Sequence, residues 1–188
     1  MTIGPDGLKR CPWATTAPLY LEYHDLEWGK AVHGENPLFE RVCLEAFQSG
    51  LAWITILRKR EAFRAAFAGF EIEKVAEFGD EDVARLLADE GIVRNRAKIN
   101  AAIVNARAAR ALDGGLSDLI WSYAPAPRRR RDLPRTTAQV PATSPESVAL
   151  AKALKKAGFA FVGPTTAYAL MQACGLVNDH LIDCHTQK

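Results

Sequence analysis

The sequence predicts an all-α fold. Apolar residues recur at spacings of three and four through most of the chain, and little of it alternates with period two. Helix starts are marked by a cap, a proline and an acid, most clearly at Ser144-Pro145-Glu146. Glycines close the apolar segments, as Gly29, Gly69, Gly158 and Gly175 do. No internal repeat is present.

Residues 1–10 are polar, carry Gly4, Pro5 and Gly7, and are expected to be loose; Cys11-Pro12-Trp13 opens the ordered part. A short helix is predicted over 18–28, closed by Gly29, with Leu19, Tyr23 and Leu26 on one face and Tyr20, His24 and Glu27 on another. A loop over 30–37 follows, with Asn36 expected to cap the next helix and Pro37 at its first position. That helix carries the apolar stripe Phe39, Val42, Cys43, Ala46 and Phe47 and ends at a Gly50-Leu51 turn; a second helix leaves the turn and runs to Gly69.

Short amphipathic helices are predicted over 72–78 and 80–88, the latter capped by Asp80. The stretch 91–99 leads into a long helix to Leu112, Gly114-Gly115 breaks it, and 116–123 is helical again. Residues 124–143 form a proline-rich loop with a run of arginines at 128–131. Helices over 144–156 and 165–173, separated by an extended stretch at 159–163, complete the chain.

Hydrophobic residues are 48% of the 188, enough for a real core, and charged residues at 24% argue against wholesale disorder. A net charge of +2 does not announce nucleic acid, so any basic surface must come from local clustering. No apolar run of about 18 residues is present, and the N-terminus lacks the apolar core of a signal peptide. A cytoplasmic protein without membrane contact is expected, in which the four cysteines are thiols or metal ligands rather than disulfides.

The chemistry concentrates in residues 44–60, LEAFQSGLAWITILRKR. Glu45 and Gln48 lie three apart on the side of the helix opposite the stripe. Leu51 sits in a turn, where a large apolar residue is out of place, and Trp53 follows. A carboxylate, an amide, a protruding leucine and an indole suit a pocket for a flipped nucleobase: the first two read a base edge, the indole stacks, and the leucine fills the gap in the duplex. The plain alternative is a helical hairpin in which Glu45 pairs with Arg41 on a wet face and Trp53 lies in the core.

Two further features bear on function. Cys11, His24, His180 and Cys184 suit tetrahedral zinc with no open position, a structural site tying the two ends of the chain together, though four unrelated residues remain the alternative. His185 is a rival ligand, His33 is expected in a solvated loop, and Cys43 and Cys174 belong to apolar helical patterns. The segment LLADEGIVRNRAKINAAI sets a short turn between two helices, and the second helix starts with free N–H groups that can hold a DNA phosphate, with Arg94, Arg96 and Lys98 adding charge. An ordinary helix corner with a basic rim is the alternative. Lys98 is read as a solvated phosphate contact rather than a Schiff-base lysine, because no aspartate stands in a partner position.

Together, PLYLEYHDLEWG, CLEAFQSGLAWITILRKR, GIVRNRAKI, LKKAGFAFVG and YALMQACGLVNDH resemble the DNA-3-methyladenine glycosylase I family, constitutive bacterial enzymes of the helix-hairpin-helix superfamily. The resemblance spans nearly the whole chain. It implies a helix-hairpin-helix DNA glycosylase fold with a zinc clip joining the N- and C-terminal regions, one structural zinc ion on Cys11, His24, His180 and Cys184, and Glu45 as the pocket carboxylate that recognises the methylated adenine. It implies Tyr20, Tyr23, Trp28, Gln48 and Trp53 around the base, and Gly50 and Leu51 in the loop that fills the duplex. Phe47 and Ala97 depart from the pattern, a polar residue and a glycine being expected there, and the arginine run lies outside it. The implied organisation is a flexible 1–10 followed by one unit over 11–188. That unit has a lobe at 30–123 containing the hairpin, a lobe of 11–29 with 144–188 joined by zinc, and the linking loop 124–143.

The implied activity is a monofunctional hydrolase acting on N-glycosyl bonds in base excision repair of alkylated double-stranded DNA. It releases 3-methyladenine, leaves an abasic site and works as a monomer. The competing expectations are a non-catalytic damage-binding module, which binds methylated DNA without releasing base, and a zinc-dependent hydrolase, which the closed ligand set disfavours.

Overall fold

The structure, a computed structural model, describes residues 1–187 of the chain. It is all-α apart from one small hairpin. The helices are α1 (Pro18–Leu26), α2 (Glu35–Gln48), α3 (Trp53–Ala66), α4 (Ile72–Ala76), α5 (Asp80–Ala88), α6 (Arg96–Arg110), α7 (Gly115–Trp121), α8 (Pro145–Lys156) and α9 (Pro164–Ala173). Helix α2 is the axle, packed against α3, α6, α7 and α9, while α4 lies along α6 and α8 along α9.

The burial of α2 explains this. Its stripe Phe39, Val42, Cys43, Ala46 and Phe47 faces the core, and Leu38 and Leu44 are buried with it. Phe47, which departs from the family pattern, sits at ring distances of 4.6 Å from Phe63 and 5.7 Å from Phe67. Phe67 in turn stacks on Phe70. The position is an aromatic core site, where a polar side chain would lose its hydration.

Helix caps differ from the sequence reading in whom they serve. Asn36 lies inside α2 and accepts the Ile72 N–H at 3.0 Å, so it caps the start of α4 rather than its own helix. Its neighbour Glu35 accepts the Leu116 and Ser117 N–H groups at the start of α7. Asp80 is the first residue of α5 and Gly79 its cap. Ser144 caps α8 as expected, accepting the Ser147 N–H. A cap motif shows that a donor-rich helix end is near; tertiary packing decides which end.

Residues 1–10 are not loose. Thr2–Ile3 (β1) and Lys9–Arg10 (β2) pair antiparallel. Arg10 is buried, donating to Asp6 at 2.6 Å and to Asp25 of α1 at 2.7 Å. Two-residue strands leave no periodic trace, and the ion pair reaches across 15 positions of sequence. The 124–143 loop contains short 3₁₀ turns at Arg130–Asp132 and Thr137–Gln139. No helix among the described residues is long and apolar enough to cross a membrane.

Candidate functional site

The C-terminus of α2 carries the candidate chemistry. Ser49 ends the helix, Gly50 adopts a left-handed φ of 79°, and Leu51 projects at 39% exposure. The turn is held from below by Lys98, in the first turn of α6. Its ammonium donates to the Phe47 carbonyl at 2.8 Å and the Ser49 carbonyl at 2.5 Å. A cation on the last carbonyls of a helix completes their hydrogen bonding and opposes the helix dipole. This corrects the reading of Lys98 as a solvated phosphate contact: the side chain is buried, and burial lowers its pKa.

Above this turn lies a cleft of about 230 Å³ lined by Trp13, Tyr20, Tyr23, Trp28, Glu45, Gln48, Trp53, Ala169 and Gln172. That is the scale of one small heterocycle. The candidates Tyr20, Tyr23, Trp28, Glu45, Gln48 and Trp53 are therefore brought together from α1, α2, α3 and the residues after α1. Trp13 meets Tyr20 edge-on at 5.6 Å and Trp28 at 5.1 Å, and Tyr23 lies 5.6 Å from Trp53. The Tyr20 hydroxyl accepts the Ile54 N–H, fixing the start of α3 beside Trp53.

Glu45 is only 5% exposed, and burial pushes its carboxyl up to about 8 against the downward pull of the Arg41 guanidinium. The Glu45–Arg41 surface pair of the plain alternative is absent among the described residues. Arg41 donates to Glu27 instead, which also holds Arg60 through both carboxylate oxygens. The Trp53 indole N–H is buried without a partner among the described residues. An acceptor-rich carboxyl and unused polar atoms in an aromatic slot are groups that a polar ligand would satisfy.

Next to the cleft, ligand atoms of Cys11, His24 and Cys184 lie within 4.8 Å of one another, all buried. His24 Nδ1 meets Asp25 Oδ1 at 2.7 Å and its Nε2 lies 3.4 Å from Cys184 Sγ. The carboxylate behind the ring leaves Nε2 as the free ligand nitrogen, the usual arrangement at metal-binding histidines. The Cys11 thiol, then His24 and Thr186, holds Cys184 well below the usual thiol range, while the same contact drives Cys11 upward.

His180 stands beside this trio rather than within it, its ring 4.6 Å from that of His24. Burial, then the neighbouring His24, pushes His180 down to about 4. Its Nδ1 is 2.8 Å from Asn178 Oδ1, so Nε2 carries the lone pair, and the His24 carbonyl 3.4 Å from Nε2 offers it no hydrogen. Two thiols and an imidazole in close reach, with a second imidazole nitrogen beside them, are donors of the kind that hold zinc. The rival His185 turns to Asp25 instead. Cys43 and Cys174 are core residues, and His33 stacks on Trp121 at 4.4 Å.

Arg94 and Arg96 are exposed at the start of α6, where Asn95 already accepts the Lys98 N–H. Ala97 is exposed beside them. Helix α9, by contrast, starts at Pro164 with no side-chain cap, after a turn holding Gly158 and Gly163 and beside Lys155 and Lys156. In the arginine run, Arg128 is bound to Asp179, Arg129 pairs with Asp132, and Arg130 and Arg131 are exposed. A separate cavity of about 800 Å³ lies under this loop, with Trp121, Arg128, Tyr168 and Val177 in its wall, and contains none of the candidate residues.

Sequence reasoning missed Trp13, Ala169 and Gln172 in the cleft. Trp13 had one signal, an indole two residues after the candidate ligand Cys11; Gln172 had none, lying in a helix that reads as apolar core.

Comparison with known proteins gives one consistent result. A family model described as methyladenine glycosylase matches residues 13–187. The chain is 47% identical over 182 residues to DNA-3-methyladenine glycosylase 1 of Escherichia coli K12, covering 94% of this chain and 96% of that one. It is 45% identical over 178 residues to DNA-3-methyladenine glycosylase of Haemophilus influenzae, covering 93% and 96%. Among solved structures, a tyrosine-to-phenylalanine variant of 3-methyladenine DNA glycosylase I in complex with 3-methyladenine superposes with a TM-score of 0.89 at 34% identity, covering 95% of this chain and 97% of that one.

Proposed function

The chain belongs to the methyladenine glycosylase family, and we propose that its small aromatic cleft is where the alkylated base is held for excision. The protein is a DNA-3-methyladenine glycosylase, a hydrolase of DNA repair that cleaves the N-glycosidic bond of the damaged nucleotide. The observation that carries the assignment of the site is Glu45, a buried carboxyl with no partner among the described residues, set among aromatic rings.

3-Methyladenine attached to deoxyribose is cationic, and departure of the base neutralises it. Such a leaving group needs little protonation, so the site's task is to hold a cation. Trp53, Tyr23 and Trp28 offer electron-rich faces, worth about 1–2 kcal/mol each when desolvated. Glu45 accepts from the base edge, and the incoming charge draws it to the ionised form. Unmodified adenine is neutral and better stacked, so it is rejected in part before entry. Water attacks the deoxyribosyl carbon, leaving an abasic site and free base. Lys98 spends its ammonium on two carbonyls and lines no part of the cleft, in keeping with a reaction that has no lyase step.

Leu51, exposed at the Gly50 turn, fills the space left by the flipped nucleotide in double-stranded DNA. Arg94 and Arg96 contact phosphates at a helix-hairpin-helix formed by α5 and α6. The start of α9, with no side-chain cap, leaves the Thr165 and Thr166 N–H groups without a partner among the described residues and is a second phosphate site of the same kind. One structural zinc ion is held by Cys11, His24, His180 and Cys184; when bound, it ties the two ends of the chain together. The protein acts as a monomer in the cytoplasm.

The test is chromatography of bases released from methylated duplex DNA by this chain and by Glu45→Ala. Release of 3-methyladenine, reduced at least tenfold in the variant, is the expected result. Binding of methylated DNA without base release would instead mark a damage-binding module.

A further inference from the structure

We propose that Gln172, held in one orientation by Asp179, presents a hydrogen-bond acceptor to the bound base and so sets the preference for an alkylated adenine over an alkylated guanine. The proposal rests on the base-holding role of the cleft given above. Gln172 is on α9 and lines the same cleft as Glu45. Its Nε2 donates to Asp179 Oδ2 at 2.7 Å. The same oxygen accepts the Tyr168 hydroxyl at 2.8 Å, and the other carboxylate oxygen takes the Arg128 guanidinium. Asp179 is 1% exposed, and all three of these partners come to it as donors.

This arrangement decides the amide. Turned over, Gln172 would set its carbonyl against a buried carboxylate oxygen with no hydrogen between them. With Nε2 committed to Asp179, the Oε1 atom remains, and it accepts from no group among the described residues. It is available to the cleft, which Glu45 also lines.

Two acceptors fit a base that carries an amino group at C6, as adenine does. Guanine carries an oxygen there, which would face acceptors without a hydrogen between them. A polar site rejects a mismatched group more sharply than an apolar one, because the site's own buried atoms are left unpaired. Asp179 is on this reading a positioning residue: it touches no base and acts through the Gln172 amide.

The experiment measures release of 3-methyladenine and 3-methylguanine from methylated duplex DNA by the full, zinc-replete chain, each as kcat/KM. Release by the unaltered chain tests the function itself; the ratio between the two bases tests this proposal. Gln172→Met, which keeps the bulk and removes the acceptor, is expected to lower the ratio about tenfold, the value of one hydrogen bond. The double variant Asp179→Asn with Gln172→Glu exchanges donor and acceptor and leaves an acceptor facing the cleft, so its ratio should stay within about threefold of the original. A merely structural role for the pair would change both rates together. A folded Gln172→Met with an unchanged ratio overturns the proposal, as does a folded exchange variant that discriminates no better than Gln172→Met. If Gln172→Met does not fold, the exchange variant decides alone: a retained ratio supports the proposal and a lost ratio overturns it.

Discussion

The Lys98 ammonium lies 2.5 Å from the Ser49 carbonyl oxygen, joining the first turn of α6 to the last turn of α2 directly beneath the Gly50-Leu51 loop. The contact links the basic helix start to the loop proposed above to face DNA. It makes Lys98 a strut of the site rather than a part of its surface.

Lys98→Met should therefore cost about 1–3 kcal/mol of stability, the penalty for leaving buried carbonyls unserved, and should lower kcat/KM on damaged DNA by loosening the loop. Thermal unfolding and steady-state kinetics read the two effects. The salt dependence of DNA binding should keep its slope, because no phosphate contact is removed.

Arg94→Ala and Arg96→Ala should behave in the opposite way. Both side chains are exposed, so unfolding temperatures should hold within about 0.5 kcal/mol of the original. Each should reduce the slope of log affinity against log salt by about one. Fluorescence anisotropy with duplex DNA across a salt series measures this, and an unchanged slope for both would remove α6 from the DNA face.

Glu45→Gln should reduce kcat/KM for 3-methyladenine about 10–100-fold, the worth of a hydrogen bond to a charged group. The stability effect has the opposite sign. The carboxyl is raised from 4.5 in the unfolded chain to about 8 in the folded one, so the folded state binds the extra proton between those values. Stability from this group is fully present below pH 4.5 and is lost as pH rises through about 8. Glu45→Gln, which stays neutral, should match the original at low pH and be more stable by about 1–3 kcal/mol near pH 8, a fraction of the full linkage value because the group opens onto the cleft. Chemical denaturation at pH 4.5 and pH 8.5 checks it. In activity, kcat/KM of the original should rise with pH through about 8, and the variant's should not.

Chelation of zinc should lower the unfolding temperature and, with it, disturb the cleft. Trp13 lies 5.2 Å from His24, and Trp28 lies 4.6 Å from His180, so two walls of the cleft lean on the histidines proposed to hold zinc. Tryptophan fluorescence should change on metal removal and recover on adding zinc. His180→Ala should abolish stoichiometric zinc, measured by mass spectrometry under native conditions. Full retention of zinc would show that Cys11, His24 and Cys184 suffice.

The sequence by itself determined the helical class, most element boundaries and the composition of the site. Apolar spacing along α2, the Ser144 cap and the punctuating glycines are local signals, and local chemistry is what periodicity records. The motif resemblance likewise singled out Glu45, the aromatic residues and the ligand set as positions. The tertiary structure decided what each position does, because burial and partner choice are properties of packing. It set Glu45 in a low-dielectric slot, where desolvation outweighs Arg41, rather than on a wet helix face. It gave Arg41 to Glu27, Asn36 to α4 and Lys98 to the end of α2. It ordered the N-terminal hairpin through Arg10 and Asp25, and it brought Gln172 to the cleft from a helix whose pattern reads as plain core, with Asp179 behind its amide. Most of these contacts join residues far apart in sequence, and their energies exist only once the chain has closed around them.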